Sequence, residues 1–161
     1  MANKFSTIIK KANKAPPFLR SFLLTKLFST KVKFAGTTGI AIQKVSHHEV
    51  IIRLENKTKV QNHIGGIHAV AAAVLAESAT GIVFGMNVPD SKLPLLKTMK
   101  IDYQRRMQGS LQAIARLTDT QISSISDDEK GSVIVLVTIT DESEQAPIEC
   151  YMEWAWVRKR S

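Results

Sequence analysis

A chain of 161 residues is one domain by length and can bury a sizeable core. Its apolar (44%) and charged (22%) content is that of an ordinary globular protein, and its single cysteine, Cys150, excludes a disulfide framework and a cysteine zinc site. The net charge of +8 is uneven: residues 1–48 hold nine Lys or Arg and no acid, while the remainder nets −1, which argues against a nucleic-acid-binding body.

Phe5, Ile8, Ile9 and Ala12 fall at i, i+3, i+4, i+7 and predict a first amphipathic helix. Pro16-Pro17 ends it and opens a second, near Phe18 to Phe28. Residues 1–36 therefore read as a basic helical appendage ahead of a domain spanning 37–161. Such a segment packs on the domain or a partner subunit, or touches a membrane surface or an acidic carrier protein. No N-terminal apolar run resembles a signal-peptide core, so a cytoplasmic location is expected.

Two strands follow, Gly39 to Val45 and Glu49 to Asn56, joined at Ser46-His47-His48. The two histidines point to opposite faces of an extended chain, so no metal site is expected. Lys57 to Gly66 reads as a loop, and Ile67 to Met86 as a long helix rich in alanine. Gly81 and Gly85 sit four apart on one face and predict close approach to a sheet. Glu77 is the only charged side chain from Ala69 to Pro89. That acid, Ser78, Thr80 and the two glycines argue against a membrane span.

After a break at Asn87 to Pro94, the last third reads entirely as strand. Met99, Ile101 and Tyr103 alternate with polar residues, as do Leu111, Ala113, Ala115 and Leu117 with Gln112, Ile114 and Arg116. "SVIVLVTIT" reads as a strand covered on both faces. Cys150, Met152, Trp154 and Trp156 line one face of the last strand, which ends in "RKRS". A helix apolar nearly all round must be buried on most sides. The predicted fold is α+β: an antiparallel sheet of five to six strands wrapped around one long central helix.

"NHIGGIHAVAAAVLAE" resembles the signature of hotdog-fold thioesterases of the phenylacetyl-CoA thioesterase (PaaI-like) group, and more narrowly an uncharacterised thioesterase-like branch reading "N..G..HA......AE". "IDYQRRMQGSLQAIARL" is similar to that fold's third and fourth core strands. The resemblance covers roughly residues 38–158. It implies an acyl-CoA thioesterase that hydrolyses a thioester to free acid and coenzyme A. It also implies a homodimer joined through a continuous sheet at the Met99–Tyr103 strand, with a tetramer left open. No cofactor is expected beyond the coenzyme A of the substrate.

A carboxylate in an apolar segment must protonate, find a partner, or line a water-filled cleft. Glu77 is thus either locked in a structural pair or, as the resemblance implies, the catalytic general base or nucleophile. Asn62 is a turn residue on its own, and by resemblance a donor that positions water or substrate. His68 and Ala69 stand at a helix start, where N–H groups are free. The resemblance implies an oxyanion held on the Ala69 N–H. The family's His-Gly-Gly is His68-Ala69-Val70 here, which narrows the approach of a bulky acyl group. No glycine-rich phosphate loop occurs, so Arg105, Arg106, Arg158, Lys159 and Arg160 are the candidates to hold the phosphates of coenzyme A, each equally readable as solvated rim. The alternative function is a non-catalytic acyl-CoA or acyl-carrier-protein binding module.

Overall fold

A computed structural model describes residues 3–159. Three helices open the chain: α1 (Lys4–Ala12), α2 (Pro17–Lys31) and α3 (Lys33–Thr38). Strands β1 (Ala41–Val45) and β2 (Glu49–Leu54) precede the central helix α4 (Ala69–Gly85). Then come β3 (Lys92–Tyr103), β4 (Leu111–Arg116), α5 (Asp119–Asp127), β5 (Gly131–Ile134), β6 (Leu136–Asp141) and β7 (Ile148–Arg158).

All strand pairs are antiparallel, in the orders β1-β2-β4-β6 and β3-β7-β5. The two groups share one stretch of chain. β5 runs into β6 through Val135, whose N–H donates to the Met152 carbonyl, so the sheet bends there around α4. The inner face carries Ile42, Val50, Ile52, Leu54, Leu111 and Ile139, all buried against the helix. Ala113 and Ala115 lie between them in register, and their small side chains let α4 come close.

The periodicity read for β2, β4 and β7 is the observed one, with inward residues buried and outward ones accessible. Three expectations are corrected. The last third is not all strand: α5 interrupts it, opened by a capping box between Thr118 and Gln121. Its terminal carbonyls at Ile125, Ser126 and Asp128 each accept a 2.8 Å hydrogen bond from Lys92 Nζ, a buried cation at the negative end of the helix. The break at Asn87 to Pro94 is shorter than expected, because β3 begins at Lys92 and tolerates Pro94 on an edge strand. The β5–β6 stretch is covered on one face only, leaving Ile134 51% and Leu136 63% exposed.

Gly81 does permit close approach: a Cβ there would stand 2.9 Å from the Trp154 indole of β7. Gly85 faces Phe5 of α1 instead of a sheet, with ordinary room for a methyl group. Helix α3 was not foreshadowed in sequence. It is six residues long and ends at Gly39, whose φ of 76° suits glycine. Ile9, Ala12, Leu24 and Ala35 of the first three helices belong to the same buried cluster as the strands and α4. Among the described residues no helix is long and apolar enough to cross a membrane.

Candidate active site

Helix α4 is buried on every side but one. Its incompletely buried positions are Ala69, Val70, Ala73, Glu77, Gly81 and Gly85, a single stripe at helical spacing. Glu77 stands in the middle of that stripe. It lines a cavity of about 320 Å³ whose walls are Phe28, Val32, Phe34, Val74, Pro94 and Trp154, with Ser78 beside it. Among the described residues the Glu77 carboxylate has no ion-pair or hydrogen-bond partner; only its backbone carbonyl is used, by the Thr80 hydroxyl. The acid is therefore aimed into an apolar cleft and is not locked in a structural pair.

Trp154 is held as a wall of this cleft by two contacts. Its Nε1 donates to Thr80 Oγ1 at 2.9 Å, and its ring lies on the bare backbone of Gly81. Phe84 packs against it with ring centroids 5.6 Å apart.

A second cleft, of about 300 Å³, opens at the start of α4 and is lined by Lys59, Gln61, His68, Val70 and Ala71. It shares Phe34 and Val74 with the first. His68 caps the helix, its Nδ1 accepting from the Val70 N–H at 3.1 Å. The Ala69 N–H, the first of the helix, has no partner among the described residues. Asn62 is anchored by its oxygen, which accepts from the N–H groups of Ile64 and Gly66 at 3.1 Å each. Its Nδ2 is left with one long 3.5 Å approach to the Ile67 carbonyl, and Asn62 lines neither cleft. Gly65, with φ of 77°, permits the tight turn. Eight residues of helix separate Ala69 from Glu77, about 12 Å at 1.5 Å per residue.

The basic candidates fall into two places. Arg105 is engaged in a two-pronged pair with Asp141, at 2.8 and 3.1 Å, and in a bond to Ser143. The Asp141 side chain is fully buried. Burial pushes its carboxyl up, but Arg105, the Ser143 hydroxyl and the N–H groups of Gln108 and Ser143 outweigh that and hold it well below the usual carboxylate range. Arg106 is exposed and donates to the Ile64 carbonyl at 3.0 Å, bracing the loop that carries Asn62. Arg158 and Lys159 lie at the other end of β7, where Lys159 donates to the Asp90 carbonyl at 2.7 Å. Ten strand steps separate the two ends of β7, about 33 Å. Arg160 lies outside the described residues. Sequence reasoning missed the walls of the Glu77 cleft supplied by Phe28, Val32 and Phe34, because nothing local in α2 and α3 tells where that elbow lands.

β3 is an edge strand twelve residues long, with Leu93, Leu95, Met99 and Tyr103 exposed along it. The Tyr103 hydroxyl donates to the Ala69 carbonyl at 2.7 Å, placing the start of α4 under the end of β3.

One antiparallel sheet curled around a single central helix, with an acid on the helix's one open stripe, is the hotdog fold. Known structures agree in shape. A protein of unknown function from Pseudomonas aeruginosa, described as a probable thioesterase, superposes with a TM-score of 0.74 at 22% identity, over 83% of this chain and 92% of that one. A thioesterase from Haemophilus influenzae gives 0.68 at 13% identity, over 86% and 90%. A Staphylococcus aureus protein gives 0.64 at 17% identity, over 78% of this chain and 98% of that one for a glutamine-to-alanine variant called a thioesterase enzyme. A glutamate-to-alanine variant of the same protein superposes equally well, and its altered position lies 15 residues after the glutamine. No curated protein matches the chain. The chain belongs to the family described as a domain of unknown function, DUF4442, whose model matches residues 20–157.

Proposed function

We infer that this protein is an acyl-CoA thioesterase of the PaaI-like kind, with Glu77 as the catalytic carboxylate. The observation that carries the reading is a Glu77 carboxylate with no partner among the described residues, in an apolar cleft of acyl-chain size. Glu77 takes a proton from a water as the water adds to the thioester carbonyl; the alternative is direct attack by the carboxylate. The carbonyl oxygen gathers negative charge, which a free N–H at a helix start is suited to hold, and the Ala69 N–H is the candidate. Collapse breaks the carbon–sulfur bond, and the proton taken up by Glu77 passes to the leaving sulfur, which departs as the thiol of coenzyme A. Asn62 Nδ2 orients the water or the substrate. His68 serves as the cap that fixes the helix start. The spacing of 15 residues between the two altered positions of the Staphylococcus aureus protein is also that between Asn62 and Glu77.

The separation along α4 implies that each site takes Glu77 from one protomer and Asn62 and Ala69 from the other. Support comes from the unpaired β3 edge with its exposed apolar residues and from the open stripe of α4 beside it. Antiparallel pairing of two β3 strands would bring the Arg105–Arg106 end of one protomer toward the Arg158–Lys159 end of the other. Arg106 and Lys159 are then the groups available to coenzyme A phosphates, with Arg158 if it leaves its exposed 3.5 Å pair with Glu129; Arg105 is already committed to Asp141. The lining of the cleft favours an apolar acyl group. At about 30 Å³ per heavy-atom group, 320 Å³ accommodates roughly ten.

Free-thiol release from a panel of acyl-CoAs tests this. Glu77→Gln keeps shape and volume and should lower kcat by at least about 100-fold. Unchanged hydrolysis by the variant removes Glu77 from the chemistry. A second reading, a binding module without turnover, draws on Ala69-Val70 standing where glycines are usual and on a His68 ring already used as a cap. Tight coenzyme A binding with no thiol release by the wild type would favour it.

A further inference from the structure

We propose that the exposed flank of α2 carrying Phe18 and Phe22 docks on an anionic lipid surface, inserting those two rings. This stands apart from the hydrolase reading. The rotation of α2 is fixed by two bonds to the edge strand β1: the Ser21 hydroxyl donates to the Ile42 carbonyl at 2.7 Å, and the Thr25 hydroxyl accepts from the Ile42 N–H at 2.8 Å. Leu24 lies on the same side and is fully buried. With that rotation fixed, Phe18 and Phe22 stay on the accessible flank of the helix beside these anchors. Phe18 is 79% and Phe22 61% exposed, one helical turn apart, with Leu19 beside them.

One cation lies over a ring and others flank it in sequence. Lys26 Nζ lies 5.8 Å from the centroid of Phe22, and Lys14, Lys31 and Lys33 are exposed nearby in sequence. Among the described residues none of these four lysines has a carboxylate within ion-pair distance. A second copy of the chain is a poor occupant, because residues 1–48 hold nine bases and no acid and would meet their own like charges. Protruding phenylalanines interleaved with lysines instead match an interfacial helix, with rings at the acyl boundary and ammonium groups at lipid phosphates. An acidic protein is the other occupant with matching charge, and the test below separates the two.

The test is co-sedimentation of the full-length protein with vesicles of phosphatidylcholine and with vesicles enriched in phosphatidylglycerol. Binding to the anionic vesicles alone, weakening as salt rises, is expected. The double variant F18S/F22S should lose roughly tenfold or more in partition, since two apolar rings no longer leave water. Lys26→Ala should lose about fivefold. Both phenylalanines are exposed, so circular dichroism should show an unchanged fold for F18S/F22S. The proposal is overturned if anionic vesicles fail to bind the wild type, or if F18S/F22S binds them as well as the wild type. Binding to an acidic acyl carrier protein without binding to anionic vesicles overturns it too.

Discussion

Replacing Arg105 by alanine separates a structural role from a coenzyme A-binding role. The change leaves Asp141, whose side chain is fully buried, without its cation. The remaining donors are the Ser143 hydroxyl at 2.6 Å and the N–H groups of Gln108 and Ser143 at 2.9 and 3.0 Å. Breaking a buried pair from one side costs roughly 3–5 kcal/mol. The surviving bonds and the partial exposure of Arg105 favour the low end, about 3 kcal/mol. For a chain of this size that is a fall in Tm of about 6–12 °C, read by thermal unfolding followed by circular dichroism at pH 7. The pH dependence has a definite sign. Asp141 titrates below its unfolded value of about 3.9, so its pair contributes fully above that pH and less as pH falls through and below it. The gap in Tm between wild type and Arg105→Ala should narrow on acidification. A variant within about 2 °C of wild type at pH 7, with a raised KM for acyl-CoA, would refute the reasoning and return Arg105 to the substrate.

Two further outcomes follow from the walls of the cleft and the strand behind it. Gly81→Ala puts a methyl group 2.9 Å from the Trp154 ring, so it should cost about 1–3 kcal/mol and change the acyl-chain preference, checked by denaturant unfolding and by kcat/KM across chain lengths. Burial pushes the Cys150 thiol up to about 11, so in the native protein it should react with iodoacetamide far more slowly than a free thiol at pH 8, and at the ordinary rate once unfolded, as mass spectrometry would record.

Much of the core was legible because it repeats. The alternation at Val50, Ile52 and Leu54, and at Leu111, Ala113 and Ala115, reports one buried face of a sheet, and those residues are the inner face. The alanine-rich run gave the central helix for the same local reason, and its one acid marked the stripe left open. What the sequence hid was either weakly apolar or decided at long range. Helix α5 carries only Ile122 and Ile125 among serines and acids, though Thr118 and Gln121 spelled its capping box. Its other end depends on Lys92, 33 positions from Ile125. The apparent double covering of "SVIVLVTIT" failed because apolar residues also stand on open faces, as Ile134 and Leu136 do. The Asn62 turn was visible from its glycines. The use of the Asn62 oxygen within the turn, leaving the amide nitrogen to donate, depends on the folded geometry of the Ile64 and Gly66 N–H groups.

The central claim is a site built from Glu77 of one protomer and Asn62 with Ala69 of the other. Subunit mixing addresses it most directly. Glu77→Gln and Asn62→Ala proteins, each purified inactive, are unfolded together, refolded in equal amounts and tested for thiol release from an acyl-CoA. Half of the dimers are then mixed, and each mixed dimer holds one intact site and one doubly altered site. The account predicts recovery of roughly a quarter of wild-type activity. Mixed dimers, verified by a tag on one variant, that stay as inactive as their parents would contradict it and place both residues in sites confined to single chains.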